Sequence, residues 1–454
     1  MNRKEATSVF SIGLIVAFRM LGLFMILPIF STAASKLPGS NATLIGIALG
    51  VYGLTQACLQ IPFGTLSDRL GRKPIIALGL MLFAFGSCIA AMSNHITGVI
   101  VGRAIQGAGA IGSTCLALVA DLTRDENRSK AMALVGMTIG LSFCVAIIIG
   151  PLLYTHFELS GLFWFTALLA LVAFLILFFA VPNPPRTIIN HKTSLAHDYR
   201  SLFSNMALQR MNFSIFAQHA ILTMMFLALP IILTQQLLLT DHQQTLLYLT
   251  VIVLAFIAMA PLMIIGEKKR KLKGVLLFAV ATIAISQLLA LDLPHDKASI
   301  ALLLFLFFLA FTLLESILPS LVSKIAPLKL KGTAMGVYST CQFAGIFVGG
   351  VLGGVALNHF SLNGLFVLTS AFALLWLLTL VNMAQPPYYS TLILSLPEES
   401  AIDDLTDRIK LQAGVGDVVI SSHEKLIYIK VDKQKTSENE LRNLLEKDNL
   451  SSSE

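Results

Sequence analysis

From its amino terminus the chain alternates long apolar runs with short basic ones. Uncharged stretches occupy 74–102, 131–157, 159–185, 211–240 and 242–266, and a longer one, 332–397, has room for two helices. A helix needs about 20 mostly apolar residues to cross the ~30 Å hydrocarbon core of a bilayer. The pattern predicts twelve membrane helices near 8–33, 42–66, 74–93, 97–121, 129–153, 161–181, 210–236, 245–266, 275–293, 299–323, 333–357 and 365–384. A polar turn from Asn358 to Gly364 separates the last two, and Pro386-Pro387-Tyr388-Tyr389 ends the apolar pattern. A different rhythm follows: a strand over 391–396, an amphipathic helix over 398–411, a hairpin of 416–421 and 425–431 joined through Ser422-His423-Glu424, and a second helix over 437–447. That order, β-α-β-β-α, is an incomplete ferredoxin-like unit.

Charge sharpens this division. Residues 1–384 carry 24 Lys/Arg against 12 Asp/Glu, whereas residues 385–454 carry 8 against 13, so a basic membrane body bears an acidic appendage. Of the basic residues between the predicted helices, twenty fall on one side, from Arg3 and Lys4 through Arg69, Arg72, Lys73 and on to Lys331. Only Lys36 and Lys297 fall on the other. The positive-inside rule then places both termini in the cytoplasm, which an even number of crossings also requires. With 56% hydrophobic and 13% charged residues and a mean hydropathy of +0.80, an ordinary soluble enzyme is excluded. The five cysteines (58, 88, 115, 144, 341) lie in apolar stretches without metal-site spacing, and no disulfide framework or metal site is expected.

The membrane body repeats itself. Leu118-Val119 and Ala131-Met132 recur as Leu321-Val322 and Ala334-Met335, all at an offset of 203, which lays helices 4–5 over helices 10–11. Six-plus-six duplication is the plan of transporters that bind their cargo between the halves.

The first cytoplasmic hairpin reads Gly64-Thr-Leu-Ser-Asp68-Arg69-Leu-Gly71-Arg72-Lys73. Gly64 would let another helix approach closely, and Gly71 permits a tight turn. Asp68 ends a membrane helix and needs donors, either a facing helix N-terminus or a guanidinium. Asp121, at the end of helix 4, can give Arg72 a second carboxylate. This hairpin resembles the signature G-x-L-a-D-R-x-G-r-k of the major facilitator superfamily, with every defining position filled. The resemblance implies a latch in which Asp68 meets the start of helix 11, near Gly332-Thr333, and closes the cytoplasmic side. The second-half counterpart, Gly266-Glu267-Lys268-Lys269-Arg270-Lys271, is degenerate.

Helix 4 adds Arg103-Ala-Ile-Gln106-Gly107-Ala-Gly109, similar to the R-x-x-q-G-x-g motif of drug:proton antiporters in that superfamily. Helix 5 carries Gly150-Pro151, similar to their antiporter motif, although Leu152-Leu153-Tyr154 replace the expected glycines. Phe18–Gly22, Tyr52–Gln56, Leu314–Ser320 and Gly332–Ser339, together with the tail, resemble a branch of the superfamily with an appended cytoplasmic domain. The tail is also similar to the heavy-metal-associated domain, including Gly-Val-Gly-Asp-Val-Val at 414–419, but it lacks that domain's Cys-x-x-Cys. His423 alone makes no soft-metal site.

Ionisable groups inside membrane helices are costly and mark functional positions. Four stand out: Arg19, Arg103, His219 and Glu315, in predicted helices 1, 4, 7 and 10. The superfamily uses those helices to line its central cavity, so the four are expected to share one water-filled space. Glu315 is the only carboxylate inside a second-half membrane helix; it reads as a proton-coupling group, a structural partner, or a direct substrate contact. Arg19 fixes geometry, counters a carboxylate or binds substrate; Arg103 has the same alternatives, its motif favouring a role in coupling. Gln106 belongs with Arg103, and His219 is a bundle hydrogen-bonder or a coupling group.

The expected architecture is an all-α, twelve-helix membrane protein of two six-helix halves plus a small α+β domain. Its boundaries fall at 1–182, 183–209 (linker with Pro184 and Pro185, following Pro182), 210–384, 385–390 (linker), 391–447 and 448–454 (disordered tail). The expected function is a proton-coupled secondary transporter of the bacterial inner membrane, exporting small organic compounds by alternating access. The expected partners are a small-molecule substrate, protons and the lipid bilayer, with docking or self-association through the tail and no nucleic acid. No cofactor or catalytic residue is expected, and no Gly-x-x-x-x-Gly-Lys-Ser/Thr loop points to nucleotide drive. The alternative is a membrane receptor with a sensing tail and no net transport.

Overall fold

The computed structural model describes residues 3–183, 195–292, 296–386, 388–396, 406, 408–421, 426–432, 434–437, 439–441 and 443. The first half contains α1 (Arg3–Phe24), α2 (Phe30–Ala34), α3 (Ala42–Leu70), α4 (Arg72–Met92), α5 (Ile96–Ala108), α6 (Gly112–Asp121) and α7 (Asp125–Phe179). A short α8 (Leu195–Ser204) precedes the second half, formed by α9 (Met206–Ile231), α10 (Asp241–Lys268), α11 (Leu272–Asp292), α12 (Lys297–Ile325) and α13 (Lys331–Val381).

Among the described residues, ten helices are long and apolar enough to cross a membrane. Predicted segments 129–153 and 161–181 lie in α7, and 333–357 and 365–384 lie in α13. A straight 55-residue helix would run about 80 Å, far beyond one bilayer core. Each long helix is instead broken at a single residue with a left-handed backbone, Glu158 (φ 54°) in α7 and Ser361 (φ 63°) in α13. Predicted helix 1 stops early, at Phe24, and helix 4 is split at Gly109-Ala110-Ile111 into α5 and α6. Helix starts are satisfied by side chains: Asn41 accepts from Leu44 N at 2.8 Å, Thr240 and Gln243 form a capping box, and Asp296 caps α12.

Packing between the halves is uneven along the bundle. A Cβ on Gly46 of α3 would lie 2.1 Å from Gly350 O of α13, and one on Gly350 would lie 2.4 Å from Gly46 O. Gly53 similarly faces Phe343 O, and Gly354 faces Ala42 O. Only glycine permits such backbone contact. At the opposite end, Gly332 and Gly336 of α13 have nothing within 4 Å of a Cβ. The halves are therefore sealed at the end holding residues 42–53 and 343–354. They part toward the end holding the 64–73 hairpin.

The tail forms a three-stranded antiparallel sheet in the order β1-β3-β2, with β1 (Ser390–Ser395), β2 (Val415–Ser421) and β3 (Leu426–Val431). Leu392, Leu394, Val418, Ile427 and Ile429 alternate onto one buried face with Ile409 and Leu441. Residues 408–410 and 439–441 are helical. Most of the predicted helices 398–411 and 437–447 lies outside the described residues, as do the connection at Ser422-His423-Glu424, Pro184, Pro185 and residues 448–454.

Candidate functional site

The candidate residues read from the sequence fall into three groups of polar side chains. The first is the hairpin between α3 and α4. Gly71, with φ 99°, ends α3 by donating its N–H to Ser67 O at 3.1 Å. That turn delivers Arg72 into a pocket of acceptors. Its Nη1 pairs with Asp68 and donates to Ser67 Oγ at 2.7 Å, while Nε donates to Asp121 Oδ2 at 2.9 Å. Lys73 donates to Val181 O at 2.8 Å, tying the hairpin to the end of α7. Arg69 and Asp68 face outward, and the Asp68 side chain is 43% exposed. Gly64 departs from the expected close approach: a Cβ there would meet Ser113 Oγ at 3.5 Å, an ordinary contact. Among the described residues no hydrogen bond joins Asp68 to Gly332 or Thr333; the halves are parted at this end.

The second group lies inside the first half. Arg19 donates to Tyr52 Oη at 2.9 Å and to Gln56 Oε1, and Gln56 donates onward to Gln60 at 3.2 Å. Arg103 stacks 4.8 Å over the same tyrosine ring, donates to Ala48 O at 3.3 Å and to Gln106 Oε1 at 2.8 Å, and Gln106 reaches Ser87 Oγ at 2.7 Å. Among the described residues neither guanidinium is paired with a carboxylate. Tyr52, absent from the sequence-derived candidates, joins the two arginines, one on its hydroxyl and one on its face.

The third group lies in the second half and centres on Glu315 of α12. Its Oε1 accepts from Gln218 Nε2 at 3.0 Å and stands 3.5 Å from His219 Nε2. His219 Nδ1 faces Ile215 O at 3.2 Å, so that nitrogen must carry a hydrogen. Nε2 then accepts from the Gln342 amide of α13 at 2.8 Å when the ring is neutral. When the ring is charged, Nε2–H becomes a donor and Gln342 must offer its oxygen instead. Gln342 is absent from the sequence-derived candidates, and its partnership with His219 has no sequence signal.

The shared water-filled space expected of Arg19, Arg103, His219 and Glu315 is not what forms. Arg19, Arg103 and His219 are 2%, 1% and 2% exposed, while the Glu315 side chain alone is open at 32%. Aromatic contacts stand between the two halves' clusters, Tyr52 against Phe343 (ring centroids 6.4 Å apart) and Phe143 against Phe311 (5.4 Å).

A family model described as Major Facilitator Superfamily matches residues 12–350 and again 211–403. The chain belongs to that superfamily. It is 39% identical over 444 residues to "Inner membrane transport protein YajR" of Escherichia coli (strain K12), covering 97% of each chain. It is 32% identical over 149 residues, 32% of this chain and 36% of the other, to "Tetracycline resistance protein, class H" of Pasteurella multocida. Its fold matches a bacterial homolog of the human lysosomal transporter Spinster with a TM-score of 0.69 at 12% identity, covering 84% of this chain and 97% of that one. The protein is thus a membrane transporter and not an enzyme.

Proposed function

We propose that the chain is a proton-coupled exporter of small organic compounds in the bacterial inner membrane, with both termini cytoplasmic. The observation that carries this reading is the Glu315–His219–Gln342 chain. A carboxylate and an imidazole 3.5 Å apart can share one proton, and Gln342 must turn over when the ring changes charge. Gln342 lies one turn before Gly345 and about two turns before Gly349 and Gly350, the α13 glycines packed on α9 and α3. Proton arrival at Glu315 therefore bears directly on the helix that seals one end. With the basic loops facing the cytoplasm, that sealed end is periplasmic and the parted end is open to the cytoplasm. Asp68, exposed here, is then free to meet the start of α13 once the cytoplasmic end closes. Export is supported by the resistance protein named above and by the motifs at Arg103 and Gly150-Pro151.

The test is a compound panel assayed for uptake and efflux in proteoliposomes with an imposed proton gradient, comparing the parent with Glu315→Gln. Gln keeps the shape but carries no exchangeable acid proton. The parent should concentrate at least one compound against its gradient, and the variant should exchange that compound without concentrating it. Concentration by the variant would move coupling elsewhere, and flux of no compound by the parent would favour a receptor.

A further inference from the structure

The second half repeats the α3–α4 hairpin with its charges exchanged. Pro62 and Asp68 of α3 correspond to Pro261 and Glu267 of α10, and the left-handed turn residue Gly71 (φ 99°) corresponds to Arg270 (φ 52°). Asp121 of α6 corresponds, at the repeat offset of 203, to Lys324 of α12. The first half pairs a hairpin arginine with a carboxylate on α6. The second pairs a hairpin carboxylate, Glu267, with Lys324 at 2.7 and 2.9 Å. At the same spacing Arg72 corresponds to Lys271, so Arg270 stands at the turn position with no internal role to fill, yet it is held in a backbone region that a long side chain seldom occupies.

What holds it is the tail. Arg270 grips Asp432 with both terminal nitrogens, one contact measuring 3.0 Å, and its guanidinium lies 5.0 Å over the Tyr388 ring. Tyr388 Oη accepts from Leu272 N at 2.9 Å. A second set of bonds reaches the α12–α13 loop. Asp417 Oδ2 accepts from Leu328 N at 2.8 Å, and Lys430 Nζ donates to Lys324 O at 3.0 Å and to Ala326 O. The last carbonyls of α12 have no helical partner, and an ammonium is the group that suits that end of a helix. All of these bonds fall on the second half, and the loop they grip runs directly into Lys331, the first residue of α13.

We propose that the appended domain is a charge-keyed clamp, seated on the α10–α11 and α12–α13 loops of its own chain, that fixes the start of α13. This rests on the latch reading above, because the start of α13 is where the Asp68 hairpin would land. A clamped loop presents one landing geometry; a released loop presents many, and closure slows. The domain then acts on rate without touching the transported compound.

The test uses the full chain in nanodiscs and reads hydrogen exchange in peptides spanning 326–332, which contain the Leu328 amide bonded to Asp417. Arg270→Asp and Asp432→Arg should each speed that exchange by about tenfold or more, and the double reversal should return it to within about twofold of the parent. If a reversal also loosens β1–β3, Asp417→Asn, which leaves one acceptor oxygen for the two backbone N–H groups of Leu328 and Val418, should also speed the exchange with the strands intact. Exchange unchanged in the single reversals and in Asp417→Asn would overturn the docking. A separate arm alkylates Gly332→Cys. If Asp68→Asn alters that rate and undocking does not, the clamp fails while the latch stands. If undocking alters it and Asp68→Asn does not, the latch fails and the clamp on α13 stands.

Discussion

Adding one methyl group at Gly46 should open the sealed end. An alanine Cβ there would lie 2.1 Å from Gly350 O and 2.8 Å from Gly354 Cα, both backbone atoms that cannot turn aside. A carbon needs about 3.3 Å from a carbonyl oxygen, so α3 and α13 must separate by roughly 1 Å. Overpacking of that size costs about 1–3 kcal/mol. The strain exists only while the seam is closed, so the balance between the two states should move by about 5- to 150-fold toward the one with this end open. The assay is the rate at which an impermeant thiol reagent added outside modifies Thr43→Cys, a seam position, with the five native cysteines replaced. Gly46→Ala should raise the rate at least about fivefold. Gly136→Ala, where a Cβ meets nothing within 4 Å, should leave it unchanged. A folded Gly46→Ala protein with an unaltered or slower rate would refute the seam as a determinant of state.

Other perturbations follow from the same geometry. In the present state Asp68 is 43% exposed and its pair with Arg72 is worth at most about 1 kcal/mol, so Asp68→Asn should leave thermal stability nearly unchanged. It should instead deplete the state closed at the hairpin end by about 5- to 30-fold, slowing both transport and Thr43→Cys modification. Tail docking should depend on pH through Lys430, whose ammonium is pushed down from the usual 10.5 to about 8 by burial and then by Lys331, with Asp417 opposing. Lys331 lies on the α12–α13 side, so part of that lowering comes with docking; docking then expels a proton and tightens as pH rises from about 8 towards 10.5. Leu328 exchange, corrected for intrinsic rate, should show that trend, and Lys430→Met should flatten it.

What could be read in advance was local. The hairpin is legible because its turn chemistry sits in ten consecutive residues, and Gly71 takes the left-handed turn that its position requires. The strands at 391–396, 416–421 and 425–431 lie within a residue of β1, β2 and β3, because alternation marks one buried face. The twelve apolar segments are visible from their length, but not that Glu158 and Ser361 alone interrupt two continuous helices. Long-range pairings left no trace in spacing. Glu5, which reads as a terminal charge, is buried and accepts from Arg124 N and Nε and from Asn127. The opposite charges of tail and loops forecast attraction, but only the fold brings Arg270 to Asp432 and Lys430 to the end of α12. Which end is sealed is a property of state, and no residue pattern encodes it.

The central claim is that the two ends of the bundle open in alternation, and paired spin-label distances test it most directly. One pair, Ser35→Cys with His359→Cys, spans the sealed end; the other, Leu70→Cys with Gly332→Cys, spans the parted end. All four positions are exposed. Gly46→Ala should lengthen the first distance and shorten the second in the same molecules, and Asp68→Asn should do the reverse. Two distances that stay fixed, or that lengthen together, would contradict alternating access.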